Sequence, residues 1–132
     1  MEFSRLFKIF FVILIFYPVN SFAEYKWKKI GRNTSGTIFY VDLLSIKKFK
    51  NSVYVFNLID YVKPTEQGTL SSKAYLEYNC ANFNYKMLKD FYYDKPMGNG
   101  EPIAVISEES EWYENKKGSI SEMMGKFACN YK

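Results

Sequence analysis

The stretch TLSSKAYLEYNC, residues 69–80, decides the fold. Apolar and polar side chains alternate along it. Ala74, Leu76, Tyr78 and Cys80 fall on one side, and Lys73, Tyr75, Glu77 and Asn79 on the other. A period of two marks a strand with one face in a core. The alternation places Cys80 on the apolar side, where a buried partner reaches it. The run FNYKMLKDFYY at 83–93 follows, with Phe83, Tyr85 and Met87 in phase. The two runs therefore read as a hairpin turning through residues 79–82.

Further out the pattern continues as short strands between turn signals. SVYVFNLIDYV at 52–62 is a long apolar run and reads as the central strand. YKWKKIG at 25–31 alternates and reads as an edge strand ending at Gly31. GRNTSG is a turn, and TIFYVD at 37–42 is a second strand ending at Asp42. LLSIKKFKN at 43–51 reads as a turn or one helical turn, then a solvated lysine corner. KPTEQG turns the chain, DKPMGNGEP at 94–102 is a glycine-rich loop, and IAVIS at 103–107 is a short strand.

The period changes near the end. Ser119 with Glu122 forms a capping box, in which each side chain satisfies a free backbone N–H at a helix start. Ile120, Met123, Met124 and Phe127 then fall on one helical face. Gly125 weakens such a helix by roughly 1 kcal/mol relative to alanine. Cys129 lies near the same face. The expected fold is α+β: an antiparallel sheet of about six strands, with a C-terminal helix packed on one face and pinned by one disulfide. A helix on one face leaves the other face of an antiparallel sheet open. Lys73, Tyr75, Glu77 and Asn79 are thus the candidate protein-binding face, since an aromatic with both charge signs suits reversible contact. An ordinary solvated face and a dimer interface are the competing readings.

The leading segment has the order of a secretory signal peptide. Arg5 and Lys8 are basic, Ile9 to Tyr17 is unbroken apolar sequence, Pro18 stops it, and Ser21-Phe22-Ala23 supplies small residues at the peptidase positions. A bilayer span needs about 20 apolar residues, and this run is shorter. Residues 1–23 read as the signal and residues 24–132 as a single domain, with an uncleaved anchor as the rival. Glu24, not a cysteine, follows the cut, so no lipid anchor is expected. Removing Arg5, Lys8 and Glu2 with the signal lowers the formal charge from +4 to +3. Nucleic-acid binders carry stronger, clustered basic stripes. Here the lysines are dispersed among acids such as Glu108, Glu109, Glu111 and Glu114, so no nucleic-acid partner is expected. Cys80 and Cys129 are the only thiols. In an oxidising compartment an even pair becomes a disulfide. Closing a loop of about 50 residues stabilises by roughly 4 kcal/mol in the chain-entropy model. A two-cysteine metal site is the weaker reading, because the chain has no histidine to complete a zinc set.

The absence of histidine also removes Ser-His-Asp and Cys-His catalysis. Gly98 to Gly100 lacks the length and the Lys-Ser/Thr of a phosphate loop. Ser71 and Lys73 share a strand face, a spacing that permits a Ser-Lys dyad but is common by chance. EESEWYE at 108–114 lacks the ordered Asp/Asn-Gly loop of a calcium site. No catalytic residue, cofactor or metal is expected. Asn33-Thr34-Ser35 matches a glycosylation sequon, a signal too common to carry weight. Nineteen aromatics remain beyond the signal, mostly tyrosine. They suit half-buried strands or a binding face whose hydroxyls stay wet.

One ordered set of residues carries a resemblance. Trp27 and Ile30 come first, then Tyr40, Val41, Asp42, Ser45 and Ile46. The strand VYVFNLIDY follows, then Ser72, Lys73, Glu77, Tyr78 and Cys80. Tyr92 or Tyr93 precedes Met97, Gly98 and Gly100, and Trp112, Gly118-Ser119 and Cys129 close the set. In this order residues 25–129 resemble the surface-adhesin protein E family of Gram-negative bacteria. The resemblance implies a compact antiparallel sheet with a helix, exported to the cell envelope. It implies an adhesin that binds host extracellular-matrix or serum proteins and is able to form a homodimer. The chain lacks the lipid-anchoring cysteine of the family's prototype, so periplasm, outer-membrane surface and secretion all remain open as locations. The expected function is that of an exported, non-catalytic envelope binding protein, with no membrane span after signal cleavage. The alternatives are a periplasmic inhibitor of a hydrolase such as lysozyme, on a faint likeness of SGTIFY at 35–40 to an inhibitor loop, and an envelope protein of unknown role.

Overall fold

The computed structural model describes residues 24–132. The signal-peptide reading of residues 1–23 lies outside the described residues. Seven strands and one helix follow in chain order: β1 (Trp27–Arg32), β2 (Ile38–Asp42), β3 (Lys47–Phe49), β4 (Ser52–Asp60), β5 (Ser71–Asn79), β6 (Tyr85–Tyr93), β7 (Ala104–Ile106) and α1 (Ile120–Asn130). All strands join one antiparallel sheet in the order β1-β2-β4-β5-β6-β7. β3 pairs with the first half of β4, from Ser52 to Tyr54, on the edge whose second half takes β2. β3 is the strand absent from the sequence reading. Its three residues, Lys47, Lys48 and Phe49, are all exposed, so no burial pattern betrayed it.

β5 keeps the predicted alternation. Leu76 and Tyr78 are buried, and with Val41, Val53, Val55, Met124 and Ala128 they form the core between sheet and helix. Each such aliphatic side chain contributes roughly 1.5–3 kcal/mol by leaving water. Cys80, at the end of the same face, bonds to Cys129 across a separation of 49 residues. The strand thus holds the last turn of the helix, as the cysteine pattern predicted.

The helix begins at the Ser119–Glu122 pair, with the glutamate bond shifted to the residue before the cap. Ser119 Oγ accepts from the backbone N–H of Glu122 at 3.1 Å, and Glu122 Oε1 accepts from Gly118 N at 3.2 Å. The buried stripe is rotated from the expected one. Met124, Gly125 and Ala128 are buried and Ile120 is half-buried, while Met123 is 45 % exposed. Gly125 sets this rotation. The Tyr78 ring lies so close that a Cβ at residue 125 would stand 2.7 Å from Tyr78 Cδ1. The helix backbone therefore rests directly on the ring, and Met123 turns away from the sheet.

Candidate functional site

The sheet face opposite the helix is aromatic. On β4 the even positions present Tyr54, Phe56 and Leu58 to it, while Val53, Val55 and Asn57 face the helix side. Register brings Tyr75 of β5 beside Phe56 and Phe91 of β6 beside Lys73. Phe56 sits at the centre, with ring centroids 4.9 Å from Tyr75, 5.8 Å from Tyr25 and 6.5 Å from Phe91. Tyr25 stacks on Trp27 at 4.9 Å and 9° between planes. Tyr54 extends the row 6.4 Å beyond Tyr75. All these rings are half-buried. Such spacings are those of attractive offset and edge contacts. The row therefore forms one pre-packed surface.

The expected binding residues separate on this surface. Tyr75 belongs to the aromatic row. Glu77 Oε2 accepts from Ser52 Oγ at 2.8 Å and stands beside Tyr54, whose hydroxyl pKa is raised by desolvation and then by that carboxylate. Asn79 Oδ1 accepts from Ala81 N at 2.9 Å and caps the β5–β6 turn. Lys73 is largely covered, with 8 % of the residue exposed, and its ammonium meets solvent only at the cleft. The loop after β6 covers it. That loop is a single 3₁₀ turn, Pro96–Gly98, held to the face by three hydrogen bonds. Ser71 Oγ donates to Lys95 O, Gly98 N donates to Ser71 Oγ at 2.8 Å, and Met97 N donates to Asp60 Oδ1 at 2.8 Å. Gly98 has φ +64, and a Cβ there would stand 2.9 Å from Lys73 Cε, so glycine lets the loop close over the lysine stem without displacing it.

The Lys73 ammonium sits 4.3 Å from the Tyr25 ring centroid and 4.8 Å from that of Tyr93. Desolvation lowers its pKa, and the charge of Asp42 works against that shift. Desolvation, then Tyr25 and Glu101, pushes the Tyr93 hydroxyl up to about 12. Ser71 already gives its proton to the Lys95 carbonyl, so the Ser71–Lys73 pair is not set up as a nucleophile and base. Ser35 Oγ donates to Asn33 Oδ1 at 2.7 Å in the β1–β2 turn. Glu109 of the acidic run pairs with Lys86 at 3.4 Å. Among the described residues no three of His, Cys, Asp and Glu gather as metal ligands, and no helix is long and apolar enough to cross a membrane.

The sequence and the fold match known proteins in one direction. The pattern of the surface-adhesin protein E family matches residues 27–130. The chain belongs to the surface-adhesin protein E family. Solved structures of Haemophilus influenzae protein E share the architecture. Its selenomethionine form superposes with a TM-score of 0.58 at 18% identity, covering 80% of this chain and 86% of that one. A second crystal form gives 0.57 at 18% identity over 78% and 86%. Protein E from a non-typeable Haemophilus influenzae gives 0.53 at 16% identity over 83% and 78%. At such identities the likeness is one of fold. No curated protein sequence matches the chain. As a member of this family the protein is an adhesin-like envelope protein.

Of the residues behind the resemblance, Trp27, Asp42, Lys73, Tyr93, Met97, Gly98 and Gly100 meet around the buried lysine. Sequence reasoning placed Lys73 and Tyr75 on one face and missed Tyr25, Tyr54, Phe56 and Phe91. A signal for them was present. β4 is apolar at both odd and even positions, which marks a strand buried on both faces.

Proposed function

We propose that this protein is an exported, non-catalytic binding protein that grips a protein partner through the aromatic face of Tyr54, Phe56, Tyr75 and Phe91. The observation that carries the reading is the continuous row of half-buried rings on the face away from the helix, rimmed by Glu77 and Lys89. Rings that are already packed lose little freedom on binding, and tyrosine is enriched among the residues that dominate interface energy. The proposed partners are host extracellular-matrix or serum proteins, in keeping with the family. Export by cleavage after Ala23 is part of the same proposal.

Solid-phase binding to vitronectin, laminin and plasminogen tests it, with Tyr54→Ala/Tyr75→Ala as the variant and the exposed helix residue Met123→Ala as the control. Losing two interface tyrosines at about 1–2 kcal/mol each weakens binding by roughly 30-fold or more. The control should bind as the parent does. Equal binding of the double variant to every ligand that the parent binds would remove this face from the function. Sizing chromatography of the same variants reads whether a second copy uses the face, since loss of a dimer in the double variant alone would assign it to self-association.

A further inference from the structure

We propose that the cleft beside Lys73 is a carboxylate-binding subsite that receives an aspartate or glutamate side chain of the protein partner. The proposal deepens the reading of the aromatic face, because the cleft opens at its Tyr25–Trp27 end. It has a volume of about 530 Å³ and is lined by Tyr25, Trp27, Lys73 and the loop from Met97 to Glu101.

Most of the Lys73 side chain is buried, and lysines this buried are ordinarily paired, whereas its unpaired ammonium is presented to the cleft. The Lys73 ammonium has no ion pair and no hydrogen bond to any described residue. Two ring faces attract it, but a ring does not replace an anion as acceptor for three N–H donors. The nearby acids do not fill the role. Asp42 Oδ1 accepts from Lys26 N at 2.7 Å and Leu44 N at 3.2 Å, and no Asp42 oxygen comes within ion-pair distance of Lys73. Glu101 forms part of the cleft wall and likewise makes no ion pair with a described residue.

The lysine is also fixed in place. Its stem is wedged against Gly98, whose loop is held by Asp60 and Ser71. A charge held in position before the ligand arrives costs little to use. The backbone N–H groups of Gly100 and Glu101, on the same wall, make no hydrogen bond with described residues. One fixed cation with neutral donors around it suits a single negative charge. The Glu101 carboxylate on the wall repels a more highly charged phosphate or sulfate, which leaves the carboxylate as the ligand class.

The probes are sodium acetate and N-acetylglutamate N-methylamide, titrated into the folded protein at constant ionic strength. Sodium chloride and phosphate serve as controls. Amide shifts of Gly100 and Glu101, the Lys73 Nζ resonance and Trp27 fluorescence report occupancy. Both carboxylates should give saturable changes with millimolar affinity, the scale of a single ion contact. Lys73→Met keeps an unbranched stem against Gly98 and should abolish saturation while the far-ultraviolet spectrum is retained. If that variant does not fold, the Lys73 Nζ resonance of the parent still decides, since it must move with the carboxylates and not with chloride. No saturation by about 100 mM, far above that affinity, overturns the proposal, as does equal saturation by chloride. In solid-phase binding, Lys73→Met should weaken the partner by about tenfold, or 1.4 kcal/mol. Unchanged partner binding alongside lost acetate binding overturns the assignment to the partner. The titration uses no macromolecule, so it and the test of the aromatic face fail independently.

Discussion

Replacing Gly125 by alanine should destabilise this protein, although helix propensity alone argues the reverse. An interior glycine costs a helix about 1 kcal/mol relative to alanine, so a solvent-facing site would gain that amount. Here the new methyl group would stand 2.7 Å from Tyr78 Cδ1 and 2.9 Å from Cε1. Tyr78 cannot withdraw. It is fully buried near the end of β5, and Asn57 Nδ2 donates to its hydroxyl at 2.8 Å. Overpacking of this kind costs roughly 1–3 kcal/mol. A shift that breaks the hydrogen bond adds about 1 kcal/mol, and Asn57 Oδ1 is already without a partner. The propensity gain offsets only part, leaving a net loss of about 1–3 kcal/mol. For a domain of this size that lowers Tm by roughly 5–20 °C. Thermal and urea melts of the oxidised protein measure it. The companion experiment places Gly125→Ala in a Tyr78→Leu background, where the obstructing ring edge is gone and the substitution should become neutral or stabilising. A Gly125→Ala protein as stable as the parent, or the same loss in both backgrounds, would refute the claim that the ring dictates the glycine.

Cys80→Ser and Cys129→Ser should each cost roughly 2–5 kcal/mol, and the double variant should melt with the singles, because one bond is lost in all three; thiol titration of the unreduced parent should find no free cysteine. Burial raises the carboxyl pKa of Asp90 above its ordinary 3.8. The folded state then holds the proton more tightly, and stability falls as pH rises from about 4 through the raised value. Asp90→Asn should therefore melt higher than the parent at pH 7, with the gap closing in acid melts below about pH 4. Ser119→Ala removes the acceptor at Glu122 N and should cost about 1 kcal/mol, read as a lower urea midpoint. Protein exported by a Gram-negative host should begin at Glu24, with Tyr25 as its second residue; an intact mass that retains residues 1–23 would contradict cleavage there.

The parts of the fold that a periodic pattern carries were readable in the residues. β5 showed its face through strict alternation, α1 through the Ser119–Glu122 box, and the helix end through Cys80 and Cys129. Two kinds of feature were not readable. β3 is exposed throughout, so nothing in its side chains distinguishes a strand from a lysine-rich turn. Lys73 alternates correctly and was expected in water, yet its burial comes from a loop more than 20 residues later. The glycines of that loop were read as marking a glycine-rich loop and no more, whereas Gly98 is the space into which the lysine fits. The aromatic row is likewise spread over β4, β5, β6 and the segment before β1, and only register gathers it.

The Cys80–Cys129 bond also determines how the molecule bears load. A pull between residue 24 and residue 132 runs along the chain to Cys80, crosses the sulfurs and leaves at Cys129. β6, β7 and α1 lie on the bypassed branch and carry no tension. Stretching can release only the chain before Cys80, roughly 200 Å at ~3.5 Å per residue, against roughly 380 Å for the whole domain. A protease that cuts anywhere on that branch, as in the stretch between β7 and α1, produces two pieces still joined covalently. Somewhat under half of the described residues are thereby spared the rope, and stay attached after the scissors, for as long as the bond stays oxidised.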